Sequence, residues 1–577
     1  MSARSDFFVI RVPLLPLDIL SGWAAAPPLP PAVTPPELAP HLVAHVGHLR
    51  DSYRALLADP LVREAIFVAS PDLHAAIDAW LRDPDAPGAR DVERALTRYL
   101  TRMASRPTPF GLFGTVAPGS IADTTALTVA PRAAIQRHTR LDVDYLSQAV
   151  EALISHPAIR PWLRYRPSDT ACRIAGTWRY IETRMTDKVR THHLVSVEDN
   201  EAVSVALARA ASGATASEIA EAVRAIGVDD ADGFATALID SRILQPDLAC
   251  QVTGEGPIRG VLRTLASIPG AEPFASALAR AEEAVHAMDA GPVAAGSEAY
   301  RAVARTLEAL PAKVELARLF QVDAARPSGG TLGPDALALL RRGARLLEEI
   351  SPESSGDEEL TRVKRAWSER FESREMPLLE AIDADAGIGA ELGSGARGSS
   401  PLLDRLPFAD TTTPTAPWTD REKHLLSMVV RAAASGAAEI ELTDADLRML
   451  RPKTPAERPA ITGIHATLVA REGRLHLVTR NTIPQPVARM LGRFCHLSPE
   501  LDAGVRAAIA AEESTEPDAV YAEIVHLPEG RAGNVILRPV LRTYEIPAMG
   551  ESGAPPEQQI RLSDLTVQLV DDRFVLR

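Results

Sequence analysis

Lysine is nearly absent from this 577-residue chain: it occurs only at Lys188, Lys313, Lys364, Lys423 and Lys453, so the basic side chains are almost all arginine. Cysteine is scarcer still. Cys172, Cys250 and Cys495 are too few and too scattered for a disulfide framework or a CxxC zinc site, which points to a reducing cytoplasm. The N-terminal MSARSDFFVIRVPLLPLDIL is broken by Arg11, Pro13, Pro16 and Asp18, so it is neither a signal peptide nor a span, and no membrane insertion is expected. Also missing are a P-loop, HExxH, GxSxG, a dinucleotide fingerprint in a strand-turn-helix setting, and any Cys/His cluster with ligand spacing. The glycine-rich GIGAELGSGARGSS has no strand before it and no lysine-serine or lysine-threonine pair after it, and reads as a loop. His192 and His193 are neighbours on an expected strand and point to opposite faces. These absences set aside generic hydrolases and oxidoreductases, and neither a metal nor a cofactor is expected.

What is present describes a globular α+β protein of two to four domains. The net charge is -14 and the pI about 5.6, which argues against a nucleic-acid coat over the whole surface but leaves room for a local basic patch. FFVIRVP at Phe7 to Pro13 reads as a strand, and Pro27 to Pro40 as a connector. Apolar residues three and four apart then predict helices from about Leu42 to Ser105, followed by a strand-like IADTTALTVA and a helix after RLDVDYL. Between 165 and 252, ACRIAGTWRYIETR and RTHHLVSV alternate as strands. EAVSVALARAA, TASEIAEAVRAI and DDADGFATALIDSRI follow as three short helices, the second with a Thr215/Glu218 capping box, and ILQPDLACQV returns as a strand. This is the outline of a winged helix-turn-helix. Asp229, Asp230, Asp232 and Asp240 on or beside its third helix argue against reading DNA. Residues 253 to about 400 are mainly helical, with a flexible link expected at SPESSGDEE. Beyond Asp420 a helix leads into strand-rich stretches ending in LTVQLVDDRFVLR.

The most informative local feature is a ladder of arginines at every fourth position, Arg90, Arg94, Arg98, Arg102 and Arg106. On a helix that spacing forms one stripe. Taken alone, such a stripe keeps a helix solvated and pairs with Asp91 and Glu93. It runs into SRPTPFG, where Pro107 and Pro109 fix the backbone and Gly111 frees it. Arginine and a threonine hydroxyl in a rigid turn suit a phosphate or a carboxylate, so the residues lead to an anionic ligand and no further.

SRPTPFGLFG, with VIRVPLLP far upstream, resembles the N-terminal glutamylation domain of the lantibiotic dehydratases, the LanB family. The likeness continues in RLDVDYL, FQVDAARPSGGTL, FESREMPLLEAIDADAGIG, MLGRFCHL and YAEIVHLPEGRAGNVILRPVLRTYEIP, in the family's order. The resemblance implies tRNA-dependent glutamylation of Ser and Thr in a ribosomally made precursor peptide, with glutamyl-tRNA as co-substrate, as the first step of dehydration to dehydroalanine or dehydrobutyrine. A transfer between two esters needs no ATP, in keeping with the missing P-loop. Carried over by position, Arg11, Arg102, Arg106 and Thr108 match the glutamylation site, with Asp142 and Asp323 as companions. Arg90, Arg94 and Arg98 become an approach for tRNA. Read without the family, Asp142 would be a helix N-terminal charge and Asp323 a loop carboxylate paired with Arg326.

The resemblance divides the chain into residues 1–164 with the SRPTPFG motif, a leader-peptide recognition element of winged-helix outline at 165–252, and the rest of the glutamylation domain at 253–577. A leader would add as a strand at Leu194 to Val197, touching Leu194, Val195 and Val197, with Phe234 and Leu238 lining the groove. The acidic third helix would suit a leader with basic residues. The family's elimination domain is expected elsewhere, in a longer polypeptide or a separate protein, and the end at DDRFVLR reads as a cut within a block the family continues. A homodimer is allowed. The competing expectations are a peptide aminoacyl-tRNA ligase that extends a carrier peptide, and a non-catalytic scaffold that only binds leader.

Overall fold

The computed structural model describes residues 7–24, 34–186, 189–294, 296–351, 355–389, 418–452, 460–479, 485–528 and 532–577. The glycine-rich loop from residue 390 on and residues 352–354 of SPESSGDEE lie outside them; from Ser355 the latter is helix rather than link.

The chain opens with β1 (Phe7–Pro13) and runs through α1 (Asp18–Ala24), α2 (Pro35–Leu57), α3 (Pro60–Ala69), α4 (Pro71–Arg82) and α5 (Ala89–Ser105). The connector expected up to Pro40 is shorter than that, because α2 begins at Pro35 and contains Pro40. Helices α3 and α4 start where the sequence dictates: Asp59 and Ser70 accept from the backbone N–H of Leu61 and Leu73, and proline fills the first helical position of each. Helix α5 stops at Ser105. Arg106 is extended (φ -118, ψ 112), as a residue before proline prefers.

Of the expected strand IADTTALTVA, Ile121 closes β2 (Gly114–Ile121) opposite Leu332, and the rest forms one bridge among the described residues, Ala126 to Thr331. Then come β3 (Gln136–Leu141), α6 (Val143–Ile154), β4 (Tyr165–Pro167), β5 (Cys172–Ile174), β6 (Thr177–Thr186), β7 (Val189–Glu198), α7 (Glu201–Ala210), α8 (Ala216–Arg224), α9 (Ala231–Asp240) and β8 (Leu244–Pro246). The capping box of Thr215 and Glu218 opens α8, and the returning strand shrinks to three residues paired with β4. Helices α10 (Pro257–Ala266), α11 (Glu272–Ala290) and α12 (Ser297–Leu307) lead to β9 (Phe320–Ala325). Among the described residues no helix is long and apolar enough to cross a membrane.

The central sheet runs β1-β2-β9-β3, β2 and β9 being parallel and the outer pairs antiparallel. Side chains alternate across it. Val322 and Ala324 of β9 face the helical layer, in one core with Leu61, Ile66, Ile77, Trp80, Leu96 and Leu100 of α3 to α5. Val116 and Ala325 face the other way, against Phe494, Leu501, Val505 and Ile509. Helices α7 to α9 share a third core with α6, α10 and α11, so apolar packing runs unbroken across residues 164 and 252.

Behind the sheet lies a polar network. Arg137, a buried β3 residue, donates to Glu64 of α3, to Asp289 Oδ1 at 3.0 Å and to the Met288 carbonyl; Tyr300 donates to the same Glu64 oxygen at 2.8 Å. A buried cation of this kind is tolerable only when its donors are satisfied.

Candidate active site

Register places the site. His138 of β3 sits opposite Asp323 of β9, and Arg140 opposite Gln321, so His138, Arg140 and Asp323 share the face that carries Ala325. Arg11 of β1 pairs with Val116, which pairs with Ala325, and belongs to the same face. Across it runs the 3-10 helix Gly492–Leu497, GRFCHL. Arg493 from this helix donates to Asp323 Oδ1 at 3.1 Å, and Arg140 donates to Oδ2 at 3.0 Å. His496 Nε2 lies 3.5 Å from Asp323 Oδ2, an ion-pair contact when the ring is charged rather than a well-formed hydrogen bond. The guanidiniums of Arg11 and Arg493 stack on the Phe494 ring at 5.5 and 4.6 Å.

Asp323 is 1% exposed while Arg140, Arg493 and His496 keep about a fifth of their side chains in solvent. The result is a carboxylate floor under a cationic rim. Burial alone would raise the Asp323 carboxyl, but His496, Arg140 and Arg493 outweigh it and hold the group well below the usual carboxylate range. Burial, with Arg493 beside it, pulls Arg11 down. His138 and His496 are both lowered, chiefly by burial, and stand ring to ring at 5.8 Å.

Arg102 and the SRPTPFG turn are attached to the same edge. Leu15, just past β1, donates its N–H to the Met103 carbonyl at 3.0 Å. A Cβ on Gly114, which pairs with Pro13, would meet the Thr108 carbonyl at 3.1 Å. Arg102 lies over Phe110 at 4.1 Å with its Nε buried and without a hydrogen-bond partner among the described residues. Arg106 and Thr108 are exposed. The ladder ends one residue earlier than its spacing predicts, since Arg106 is outside α5. Arg90, Arg94 and Arg98 are exposed along the helix; Arg94 pairs with Asp91, whereas Glu93 turns inward to Arg50 and the Trp80 indole instead of the stripe.

Asp142 does different work. It caps α6, Oδ1 accepting from the Asp144 N–H at 2.8 Å and Oδ2 from Asn534 at 2.9 Å, while Asn534 accepts from the Val143 N–H. Both oxygens are thereby committed to the fold. The expected pairing of Asp323 with Arg326 is wrong: Arg326 donates to the Ala130 carbonyl instead. Three residues apart on an extended strand, the two side chains point to opposite faces.

At the leader candidate, β7 is the outer strand of the β5-β6-β7 sheet. Leu194 is 55% exposed, while Val195, Val197 and Phe234 are half-buried against the core that holds Leu238. The strand thus offers Leu194 and not its valines to the outside. The acidic charge of α9 is partly spent, with Asp230 capping the helix, Asp232 on Arg224 and Asp240 on Arg160.

Comparison with known proteins gives the family. The family described as lantibiotic dehydratase, N terminus, matches residues 58–577. This chain belongs to that family. The subtilin biosynthesis protein SpaB of Bacillus subtilis is 22% identical over 98% of this chain and 53% of its own length. Epidermin biosynthesis protein EpiB of Staphylococcus epidermidis is 25% identical over 18% of this chain and 10% of its own length. The crystal structure of the tRNA-dependent lantibiotic dehydratase MibB from Microbispora superposes with a TM-score of 0.74 at 22% identity, covering 99% of this chain and 53% of that one. The glutamylation domain of TbtB from thiomuracin biosynthesis gives 0.60 at 20% identity, over 94% of this chain and 67% of that one. These likenesses establish a shared mixed helix-and-sheet fold. The chain spans about half the length of SpaB and of MibB.

Within this lantibiotic dehydratase domain, sequence reasoning did not single out Arg140, His138, Arg493, Phe494 or His496. The first two were within reach, since on a strand every second residue after Gln136 shares one face. The other three come from a segment about 170 residues past Asp323, and their convergence needs the fold.

Proposed function

We propose that this lantibiotic dehydratase domain transfers glutamate from glutamyl-tRNA to the side-chain hydroxyl of Ser or Thr in a ribosomally made precursor peptide, the step that prepares dehydration. The cationic rim around Asp323 carries the reading: Arg11, Arg140 and Arg493 line one sheet face beside Arg102, Arg106 and Thr108. The description of MibB as tRNA-dependent and of the TbtB domain as a glutamylation domain supports it.

The reaction exchanges one ester for another. The hydroxyl oxygen attacks the glutamyl carbonyl carbon, the bond from that carbon to the ribose oxygen breaks, and one proton moves from the attacking to the leaving oxygen. Such a transfer depends on holding two large substrates in line and on stabilising negative charge at the carbonyl oxygen. Arg102, stacked on Phe110, and the exposed Arg106 would take tRNA phosphate or the glutamyl carboxylate, with Arg11 stabilising the carbonyl and Thr108 orienting the ester. The exposed Arg90, Arg94 and Arg98 extend the basic surface towards the tRNA. A leader strand added at β7 beside Leu194 would hold the peptide.

Incubation with glutamyl-tRNA and cognate peptide tests this by mass spectrometry, each modified residue gaining one glutamyl group. Arg106→Ala should abolish transfer and leave leader affinity unchanged. A chain that binds leader and charged tRNA yet never esterifies the peptide would refute the proposal, and an amino acid added at the peptide C-terminus would mark a ligase instead.

A further inference from the structure

The exchange of esters has one requirement that arginines do not meet. The proton of the attacking hydroxyl must leave as the new bond forms, and the departing ribose oxygen must receive one. Guanidinium is a donor only and does not deprotonate in proteins, and Asp323 is held ionised by its ion pairs with Arg140 and Arg493, which makes it a weak base. The groups of suitable basicity on this face are the two imidazoles.

We propose that His496, which touches Asp323, and His138, which stands against the His496 ring, form the proton acceptor and donor of the glutamyl-transfer step, an inference that rests on the function proposed above. Asp323 Oδ2 stands 3.5 Å from His496 Nε2 and orients that ring. The His138 ring stands edge-on to it at 5.8 Å. His138 Nε2 and both ring nitrogens of His496 are buried and make no hydrogen bond among the described residues. Unsatisfied buried nitrogens cost free energy, so three of them in one place, beside a carboxylate and beneath arginines, are unusual for a purely structural cluster. The pair takes the proton from the Ser or Thr oxygen as the oxygen-carbon bond forms and returns it to the ribose oxygen as the other bond breaks. No oxidant or further reactant is needed.

The charges facing the pair keep it available as a base. Arg140 from β3 disfavours a charged ring at both positions, Asp323 from β9 favours it at both, the Arg493 backbone of the 3-10 helix favours it at His496, and Asp289 from α11 favours it at His138. Burial acts in the same direction as Arg140, and the balance leaves both rings below the ordinary histidine value of 6.5. They are therefore neutral at physiological pH.

The test is the single-turnover rate of transfer from glutamyl-tRNA to a Ser/Thr peptide between about pH 5 and 8, with tRNA affinity measured in parallel. The wild type should show a rate that falls on the acid side, below the ordinary histidine range. His496→Gln and His138→Gln should each slow transfer by about 10²-fold or more and remove that acid limb, with tRNA and leader affinities unchanged. A His496→Gln protein with wild-type rate and acid limb would overturn the inference while leaving glutamyl transfer intact. Wild-type protein that transfers no glutamate would overturn both. If His496→Gln fails to melt like the wild type, His138→Gln carries the test, because its ring makes no hydrogen bond that the fold would lose on Nε2. A second readout is imidazole added to His496→Ala, which should restore part of the rate; no restoration together with an unchanged acid limb counts against the pair.

Discussion

Replacing Glu64 by leucine measures how firmly the back of the central sheet is held by charge. Glu64 and Arg137 side chains are both 0% exposed, and removing one member of such a buried pair costs about 3–5 kcal/mol because the other is left uncompensated. Arg137 keeps Asp289 at 3.0 Å and the Met288 carbonyl, which puts the loss near the lower end, about 3 kcal/mol. The Tyr300 hydroxyl also loses its acceptor, adding about 1 kcal/mol. Adding Arg137→Leu should recover about 2 kcal/mol, since the orphaned cation goes with it. Urea unfolding followed by tryptophan fluorescence suits the assay, because Trp80 is buried in the same helical layer. A loss under about 1 kcal/mol for Glu64→Leu, or strictly additive losses in the double variant, would show that the network is incidental packing.

Acid should destabilise the fold in two windows. His138 and His496 have lowered values, so their contribution is present above 6.5 and lost as pH falls through their folded values; that of Asp323 is present above 3.8 and lost below it. Chemical denaturation across pH should show the upper window vanish in the double His138→Gln, His496→Gln variant and the lower one shrink in Asp323→Asn. Asp142→Ala and Asn534→Ala should each cost about 1–2 kcal/mol, and the double variant little more than the larger single loss, because both break one cap; thermal melts decide. Leu194→Asp should weaken leader binding without moving the melting temperature, whereas Leu238→Asp, at a site 5% exposed, should lower it. Equal melts for the two would contradict the division of this unit into an outer edge and a core.

Local signals carried much of the fold. Caps at Asp59, Ser70 and Thr215 lie where polar residues and prolines precede apolar helical runs, and β5 to β7 with α7 to α9 follow the order read from alternation and period. Signals that depend on where an element stops did worse. The arginine ladder keeps its spacing through Arg106, yet Pro107 forces Arg106 out of the helix, so five equally spaced residues become a stripe of four and a turn. IADTTALTVA has the composition of a strand, but only Ile121 belongs to β2, and after it a single bridge, Ala126 to Thr331, is formed among the described residues. Of the residues named by resemblance, Arg11 and Asp323 lie on one sheet face and Arg102 at its edge, while Asp142 caps a helix. The ring of cations around Asp323 joins three separate stretches of chain, and no spacing along one of them encodes it.

Strand β3 also ties two jobs to the parity of a single count. Arg137 and Thr139 turn back to Asp289, and His138 and Arg140 turn forward to the site. Deleting one residue ahead of them would not remove a side chain so much as exchange the roles, burying an imidazole among aliphatic helices and presenting a structural arginine to the substrate. Spacing between the start of β3 and Leu141 is therefore under tighter constraint than residue identity at any one position. A transplant of this site into another sheet would have to carry β3 and β9 together, in register, or it would deliver the right residues to the wrong side.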